Sequence, residues 1–242
     1  GKTWTETPCT PQSNLFGERV DKNPAGGYTK IRMGTPHFVD FGKNMQHSPE
    51  GYAYLVAHGN ERPVSNQNWV LGDGVYLCRV KPSVKNINDI NAYQFFAGYK
   101  QDGQPVWSRS FKDIKPLYTW NQQSGCVTMT YIPKTKRYIM VVGTGDNVSS
   151  PFNTYILESD KPTGPFKIVT YMEGFGRQAY FTNIPSKFIQ PDGNRMWLCY
   201  SANWTGHLMN PPGASYCMNL SEFDLVPHAA KVTNNIKKER HK

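Results

Sequence analysis

The stretch Gln190-Pro-Asp-Gly-Asn-Arg-Met-Trp-Leu-Cys-Tyr200 carries a pattern that the chain repeats three times. It joins a proline, a polar turn and a strand rich in aromatic and apolar residues. The same order of features occurs in Ser48-Pro-Glu-Gly-Tyr-Ala-Tyr-Leu-Val56 and in Ile132-Pro-Lys-Thr-Lys-Arg-Tyr-Ile-Met-Val141. Self-similarity of this kind is typical of repeat architectures. The pattern therefore predicts one β-hairpin per repeat.

Two further strand-like segments follow each hairpin and complete a four-stranded unit. The third segments are Val75–Val80, Asn153–Leu157 and Ser215–Leu220, and the fourth are Tyr93–Phe96, Phe166–Tyr171 and Phe223–Val226. Four short antiparallel strands that recur form the blade of a β-propeller, whereas a β-sandwich would not repeat one unit. No stretch of helical length shows an apolar period of about 3.6 residues. We therefore predict an all-β fold, a β-propeller with three complete four-stranded blades.

The repeats divide the chain into a propeller segment and two flanking pieces. We expect a remnant of a preceding blade at 1–30, a propeller segment at 31–228 with blades at about 34–110, 115–172 and 176–227, and a basic C-terminal tail at 229–242. Three blades cannot close a ring, so we expect a missing N-terminal segment or a second chain to complete it. Gly1-Lys-Thr-Trp4 resembles the end of an Asp-box hairpin, which predicts a truncated chain.

Composition limits the classes of protein to consider. The 242 residues include 13% aromatic residues, 21 Gly and 18 Pro, which favours short strands and tight turns. The net charge of +9 favours polyanionic partners such as uronate-bearing glycans. No nucleic-acid-binding motif accompanies the charge, so we expect no nucleic acid partner. No apolar run of about 18 residues is present, so we expect no membrane span.

Cysteines and sequons bear on cofactors and location. The chain has five cysteines and no C-x-x-C pair, which argues against a zinc site or a thioredoxin-type centre. Its acidic residues are scattered and no nucleotide, haem or flavin motif is present, so we expect neither a metal nor a cofactor. The sequons at Asn147, Asn203 and Asn219 permit glycosylation in a secreted protein. We therefore expect an extracellular protein.

Three strings carry a resemblance to a known family. They are Gly34-Thr-Pro-His-Phe-Val-Asp-Phe-Gly-Lys-Asn-Met-Gln-His-Ser-Pro49, Asn153-Thr-Tyr-Ile-Leu-Glu-Ser-Asp-Lys-Pro-Thr-Gly-Pro-Phe166 and Pro185-Ser-Lys-Phe-Ile-Gln-Pro-Asp-Gly193. Each resembles a propeller family first catalogued as a domain of unknown function, which includes endo-D-arabinanases. The second string is also similar to turns in five-bladed furanosidase propellers. The resemblance implies a five-bladed ring of which this chain is the C-terminal portion, and a furanoside-cleaving activity.

Alternate loops of an up-and-down blade fall on opposite faces, which sorts the polar residues. The upper face should collect the entries to the first strands and the connections between second and third strands. Glycoside hydrolysis needs two carboxylates, and we predict Asp40, Asp73 and Asp146 as catalytic candidates, with Asp40 taken to precede an innermost strand. The predicted substrate-binding residues are His37, His58, Trp69, Arg177, Tyr180, Asn203 and Trp204. Glu158 and Asp160 fall on the lower face and are interpreted as turn residues.

These residues leave three functions open. The first is a glycoside hydrolase that cleaves a polysaccharide, with an arabinan-like furanoside as the candidate substrate. The second is a polysaccharide lyase for a uronate-containing glycan, in which His37, His58, Arg177 and Tyr180 neutralise the carboxylate and move the proton. The third is a glycan-binding or scaffold propeller without catalysis.

Overall fold

A computed structural model describes residues 3, 15–18, 30–60, 70–145, 150–203 and 216–226. The predictions for Trp69, Asp146 and Trp204 lie outside these residues. Helices in the described ranges are short: α1 (Val84–Ile87) and 3₁₀ turns at Lys43–Met45, Pro49–Gly51, Ile90–Ala92, Phe111–Asp113 and Ser186–Phe188. None of the helices in the described part of the chain is long and apolar enough to cross a membrane.

The strands form three antiparallel sheets that follow one another along the chain. The first contains β1 (Gly34–Phe38), β2 (Ala53–Gly59), β3 (Gly74–Val80), β4 (Tyr93–Tyr99) and β5 (Pro105–Ser108) in that order, with β6 (Pro116–Thr119) paired to β3. The second contains β7 (Gly125–Ile132), β8 (Arg137–Thr144), β9 (Asn153–Ser159) and β10 (Lys167–Met172). The third contains β11 (Tyr180–Asn183), β12 (Arg195–Asn203) and β13 (Tyr216–Asp224). Sequential antiparallel meanders of this kind are propeller blades, and the predicted all-β propeller fold is confirmed.

The first sheet has six strands and the third has three within the described residues, so both differ from the predicted four-stranded blade. The segment Phe223–Val226 was expected to form a fourth strand, but its first two residues belong to β13. The reason is that β12 and β13 pair without interruption from Arg195↔Asp224 to Asn203↔Tyr216. The third sheet therefore has three strands within the described residues. The predicted domain limits stay predictions.

Apolar side chains lie between neighbouring sheets. β2 is buried along its whole length, whereas the outer strand β10 is exposed over most of its residues. This contrast arises because neighbouring sheets or chain segments cover the inner strands, while the outer strands face water. Between the first and second sheets lie Val39, Phe41, Tyr54, Val56, Val75, Val127, Met129 and Met140; between the second and third lie Ile139, Val141, Met196 and Leu198.

Hydrogen bonds join the innermost strands of adjacent blades. The hydroxyl of Thr128 donates to the carbonyl O of Thr182 at 2.6 Å, and that of Thr130 donates to the carbonyl O of Ile184 at 2.7 Å. Both threonines are buried, so their hydroxyls need partners within the protein. The two bonds set the height of the third blade relative to the second.

The ends of the strands define two faces, which we call the upper end and the lower end. The upper end holds the first residues of β1, β7 and β11 and the last residues of β2, β8 and β12. The lower end holds the connections from the first to the second strand of each sheet, at 39–52, 133–136 and 184–194.

Asp40 was predicted to lie at the upper end, and this placement is wrong. β1 begins at Gly34 and already pairs with β2 through His37 and Phe38, so Asp40 follows the strand and lies at the lower end. Its Oδ1 accepts the backbone N–H of Gly42 at 2.9 Å, and its Oδ2 accepts that of Ser186 at 2.7 Å. Asp40 thereby connects the first blade to the third.

Two glycines allow the first and second blades to cross closely at the upper end. The N–H of Ser124 donates to the carbonyl O of Gly72 at 3.0 Å. A Cβ atom on Gly72 would overlap the carbonyl O of Ser124, and one on Gly125 would overlap the backbone of Val70. Neither position tolerates a side chain without a backbone shift. This contact fixes where β3 and β7 begin relative to each other.

We expect Asp40→Ala to lower the free energy of unfolding by about 1–3 kcal/mol, because two backbone N–H groups lose their acceptor. Urea denaturation followed by circular dichroism measures the change. Asp102→Ala is the matched control: this exposed carboxylate accepts one N–H, from Gln104, in the turn between β4 and β5. Equal stability losses in the two variants would contradict the connecting role of Asp40.

We expect Gly72→Ala to destabilise the protein by about 1–3 kcal/mol, because the added methyl group forces the two blades apart. Gly143→Ala is the control, since its Cβ would meet nothing closer than the Cβ of Cys126 at 3.3 Å. The same urea experiment compares the two variants. A Gly72→Ala protein as stable as Gly143→Ala would show that the crossing is not tight.

Candidate functional site

Asp73 occupies the upper end, as predicted, directly before β3. Among the described residues it is the single carboxylate that the structure buries, with an exposed fraction of 8%. Its backbone N–H donates to the carbonyl O of Gly59 at 2.8 Å and to Oδ1 of Asn60 at 3.0 Å. These bonds tie the entry of β3 to the end of β2. The position of the carboxylate is therefore set by the backbone of the first blade.

Gln122, in the segment before β7, orients the Asp73 carboxylate. Oδ1 of Asp73 accepts the backbone N–H of Gln122 at 3.2 Å and its side-chain Nε2 at 2.9 Å. Nε2 also lies 3.3 Å from Oδ1 of Asn60. Gln122 adopts a φ of 54°, a left-handed conformation that is uncommon for a residue with a side chain. We call Asn60, Asp73 and Gln122 the upper-end cluster.

Asn60 leaves one polar group of this cluster without a partner. Asn60 is fully buried, and its Nδ2 makes no hydrogen bond to any described residue. Buried amide groups in folded proteins nearly always have a partner. The cluster thus offers an amide donor beside a carboxylate acceptor.

The two predicted histidines both contact one threonine, Thr35. His58 is buried, and its Nδ1 lies 3.1 Å from Oγ1 of Thr35. His37 Nδ1 lies 2.9 Å from the carbonyl O of Thr35. The His37 ring lies 4.7 Å from the ring of Phe181, so it reaches from the first blade to the third. The structure therefore brings His37 and His58 together.

The predicted residues of the third blade lie at the entry to β11. Tyr180 is half-buried, and its ring lies 6.3 Å from Phe152 and 6.2 Å from Phe181. Arg177 is exposed, and its carbonyl O accepts the N–H of Phe152 at 2.7 Å. Asn203 ends β12, but its side chain, like Trp69, Asp146 and Trp204, lies outside the described residues. The aromatic side of the site therefore consists of His37, Tyr180 and Phe181.

Cys126, at the start of β7, borders this aromatic side. Burial raises the pKa of its thiol to about 12, although a backbone hydrogen bond from Phe181 acts in the opposite direction. A thiol with such a pKa is protonated at neutral pH and is a poor nucleophile. Covalent catalysis by Cys126 is therefore disfavoured.

Asn60, Gln122 and Phe181 were missed as site residues by the sequence analysis. Gln122 belongs to the polar run Asn121-Gln-Gln-Ser124 directly before an innermost strand, and that position was the available signal. Among the described residues, no group of three histidine, cysteine, aspartate or glutamate side chains could hold a metal ion. The upper end therefore offers one buried carboxylate, amide groups, two imidazoles and aromatic rings.

Comparisons with known proteins gave matches among solved structures alone. No protein-family model matches the chain, and no curated protein matches it. An endo-arabinase from Bacteroides thetaiotaomicron is 19% identical, with a TM-score of 0.38 over 72% of this chain and 46% of that chain. An endo-1,5-α-L-arabinanase from Thermotoga petrophila is 13% identical, with a TM-score of 0.44 over 81% of this chain and 42% of that chain.

A family 117 glycoside hydrolase from the marine bacterium Zobellia galactanivorans is also similar. It is 13% identical, with a TM-score of 0.36 over 86% of this chain and 51% of that chain. The chain thus spans about half the length of these solved structures.

Proposed function

We propose that the chain is part of a carbohydrate-active propeller that cleaves a polysaccharide by glycoside hydrolysis at its upper end. The observation that carries the proposal is the buried Asp73 carboxylate, held by Gln122 where the first and second blades meet. Polar groups beside aromatic faces suit a sugar ring, which has hydroxyls at its rim and apolar faces. The resemblance of Gly34–Pro49 to arabinanase propellers favours an arabinan-like furanoside as substrate.

Asp73 serves in this proposal as one of the two carboxylates that glycoside hydrolysis requires. Gln122 supplies two donors to one oxygen of the carboxylate, which fixes its orientation toward the upper end. Asp146 is the proposed second carboxylate, from the connection that follows β8. Asp40 has no part in it, because both of its oxygens accept backbone N–H groups at the lower end.

A polysaccharide lyase remains the second candidate function because basic and aromatic side chains lie at the entry to β11. Exposed Arg177 and half-buried Tyr180 lie three residues apart on one segment, and His37 contacts the neighbouring Phe181. Arg177 would neutralise a uronate carboxylate, and His37 or Tyr180 would move the proton. Such a reaction yields an unsaturated uronate, whereas hydrolysis yields only a new reducing end.

The proposal also includes the completion of the propeller ring and the cellular location of the protein. Met218 and Leu220 on β13 are 74% and 44% exposed, as expected for side chains on a sheet face that no described residue covers. We expect further strands, from this protein or from a second chain, to complete a five-bladed ring of which this chain is the C-terminal portion. An extracellular location follows from a polysaccharide substrate.

We expect Asp73→Asn to lower kcat by about a hundredfold or more, because one member of the acid–base pair is lost. The asparagine keeps an oxygen that can accept from Gln122, so the fold should be retained. The assay incubates the protein with plant, algal and mycobacterial polysaccharides and measures new reducing ends and the ultraviolet absorbance of unsaturated uronates.

Asp102→Asn, in the exposed turn between β4 and β5, is the matched control and should keep full activity. An active Asp73→Asn protein combined with an inactive His37→Ala protein and an ultraviolet-absorbing product would establish the lyase instead. Absence of both products on every polysaccharide would contradict both enzymatic functions and leave the glycan-binding propeller.

A further inference from the structure

A cavity lies at the lower end, at the opposite end of the strands from the upper-end cluster. Its volume is about 570 Å³, a size typical of sites for small organic ligands. The first turn of each blade contributes to its wall, through segments 42–46, 133–134 and 186–193. The cavity therefore lies where three successive blades meet, and its shape depends on their packing.

Each of these turns places one lysine at the cavity. Lys43 comes from the first blade, Lys134 from the second and Lys187 from the third. No carboxylate lines the cavity, and none of the three lysines forms an ion pair with a residue in the described ranges. Nearby Asp40 is engaged by the N–H groups of Gly42 and Ser186. The wall thus carries three lysines and no carboxylate, and the ammonium of Lys187 lies 4.8 Å from the centre of the Phe188 ring.

The carboxylate of Asp192, next to Gly193 at the rim of the cavity, accepts hydrogen bonds from its own turn. Its Oδ1 accepts the backbone N–H of Asn194 at 3.0 Å and that of Arg195 at 3.4 Å. The Asn194 hydrogen bond is the main cause that lowers the pKa of Asp192. This carboxylate stabilises its own turn and forms no ion pair with any of the three lysines.

The remaining wall combines aromatic and amide groups. The Tyr131 ring packs against Tyr138 at 4.8 Å and lies 6.4 Å from the ring of His47. The side-chain Nε2 of Gln46 lies 3.0 Å from Nε2 of His47. Ile132, Ile189, Pro133 and Pro191 supply the apolar part of the wall. Aromatic and apolar surface with a few polar groups is the usual lining of a site for a small organic molecule.

We propose that this lower-end cavity binds an anionic saccharide, a sugar that bears a carboxylate or a sulfate. The volume exceeds what a small inorganic ion needs, and the apolar wall suits a sugar ring. The three lysines, one from each blade, select for negative charge. The site lies at the opposite end of the strands from Asp73 and is independent of the proposed hydrolysis.

Calorimetric titration with three trisaccharide probes tests the proposal: a trigalacturonate, a sulfated trisaccharide and a neutral galactose trisaccharide. The test variant combines Lys43→Gln, Lys134→Gln and Lys187→Gln, all at exposed positions. A single exposed ion pair contributes little, and we expect the loss of all three to weaken binding of the anionic probes about tenfold, which corresponds to about 1.4 kcal/mol. The two anionic probes show whether carboxylate or sulfate is preferred, and the neutral probe should bind far more weakly to the unmodified protein.

The control variant combines Lys85→Gln, Lys100→Gln and Lys112→Gln, which removes the same charge from exposed positions elsewhere. It should bind the anionic probes as the unmodified protein does. Equal weakening by both triple variants would mean attraction to the overall positive charge, and equal affinity for the neutral probe would mean no anion selection; either result overturns the proposal. Loss of binding in Asp73→Asn would place the probe at the upper end and would also overturn it.

Discussion

The packing of each blade against the next places both candidate sites. β2 and β8 are buried because a neighbouring sheet or segment covers each of their faces, and the innermost strand β7 lies between the first and third blades. The hydroxyls of Thr128 and Thr130 fix the height of β11, and the Asp40 carboxylate fixes the turn before β12. Since these bonds cross from blade to blade, a change in one shifts residues at both ends of the strands. Site geometry here is a property of the interfaces, not of any single sheet.

Much of the fold was predictable because turn residues and strand composition are local signals. The proline-containing hairpins, the four strands of the second blade and the upper-end position of Asp73 followed from them. Asp40 was placed at the wrong end because the sequence around it does not show that β1 begins at Gly34 and has already ended before Asp40. The third blade lost its expected fourth strand because Ser221 and Glu222, which separate the two expected strands in the sequence, continue the pairing with β12. Both errors concern the register in which strands pair, and the sequence alone does not show that register.

The site itself was predictable only in part. Asp73, His58 and Tyr180 lie at the upper end, where loop alternation predicts them, because that argument needs only the strand order. His37 was predicted in the entry before the first strand, but it lies inside β1. Gln122 was missed because its role depends on a contact 49 residues away in the chain and on a left-handed backbone conformation. The lower-end lysines were not predicted as a site, since nothing in their spacing along the sequence shows that three turns surround one cavity. Contacts between blades are long-range and leave no local pattern.

The close crossing of Gly72 and Gly125 has a consequence for how such a protein diverges. The connection between β2 and β3 is anchored at both of its ends: the N–H of Asp73 bonds to Gly59, and the N–H of Ser124 bonds to Gly72. Because backbone atoms make both bonds, these bonds do not depend on the side chains of the residues between the two ends. Selection can therefore change side chains in that connection while the blades stay unchanged. Descendants of one ancestral chain could in this way acquire different specificities on the same scaffold.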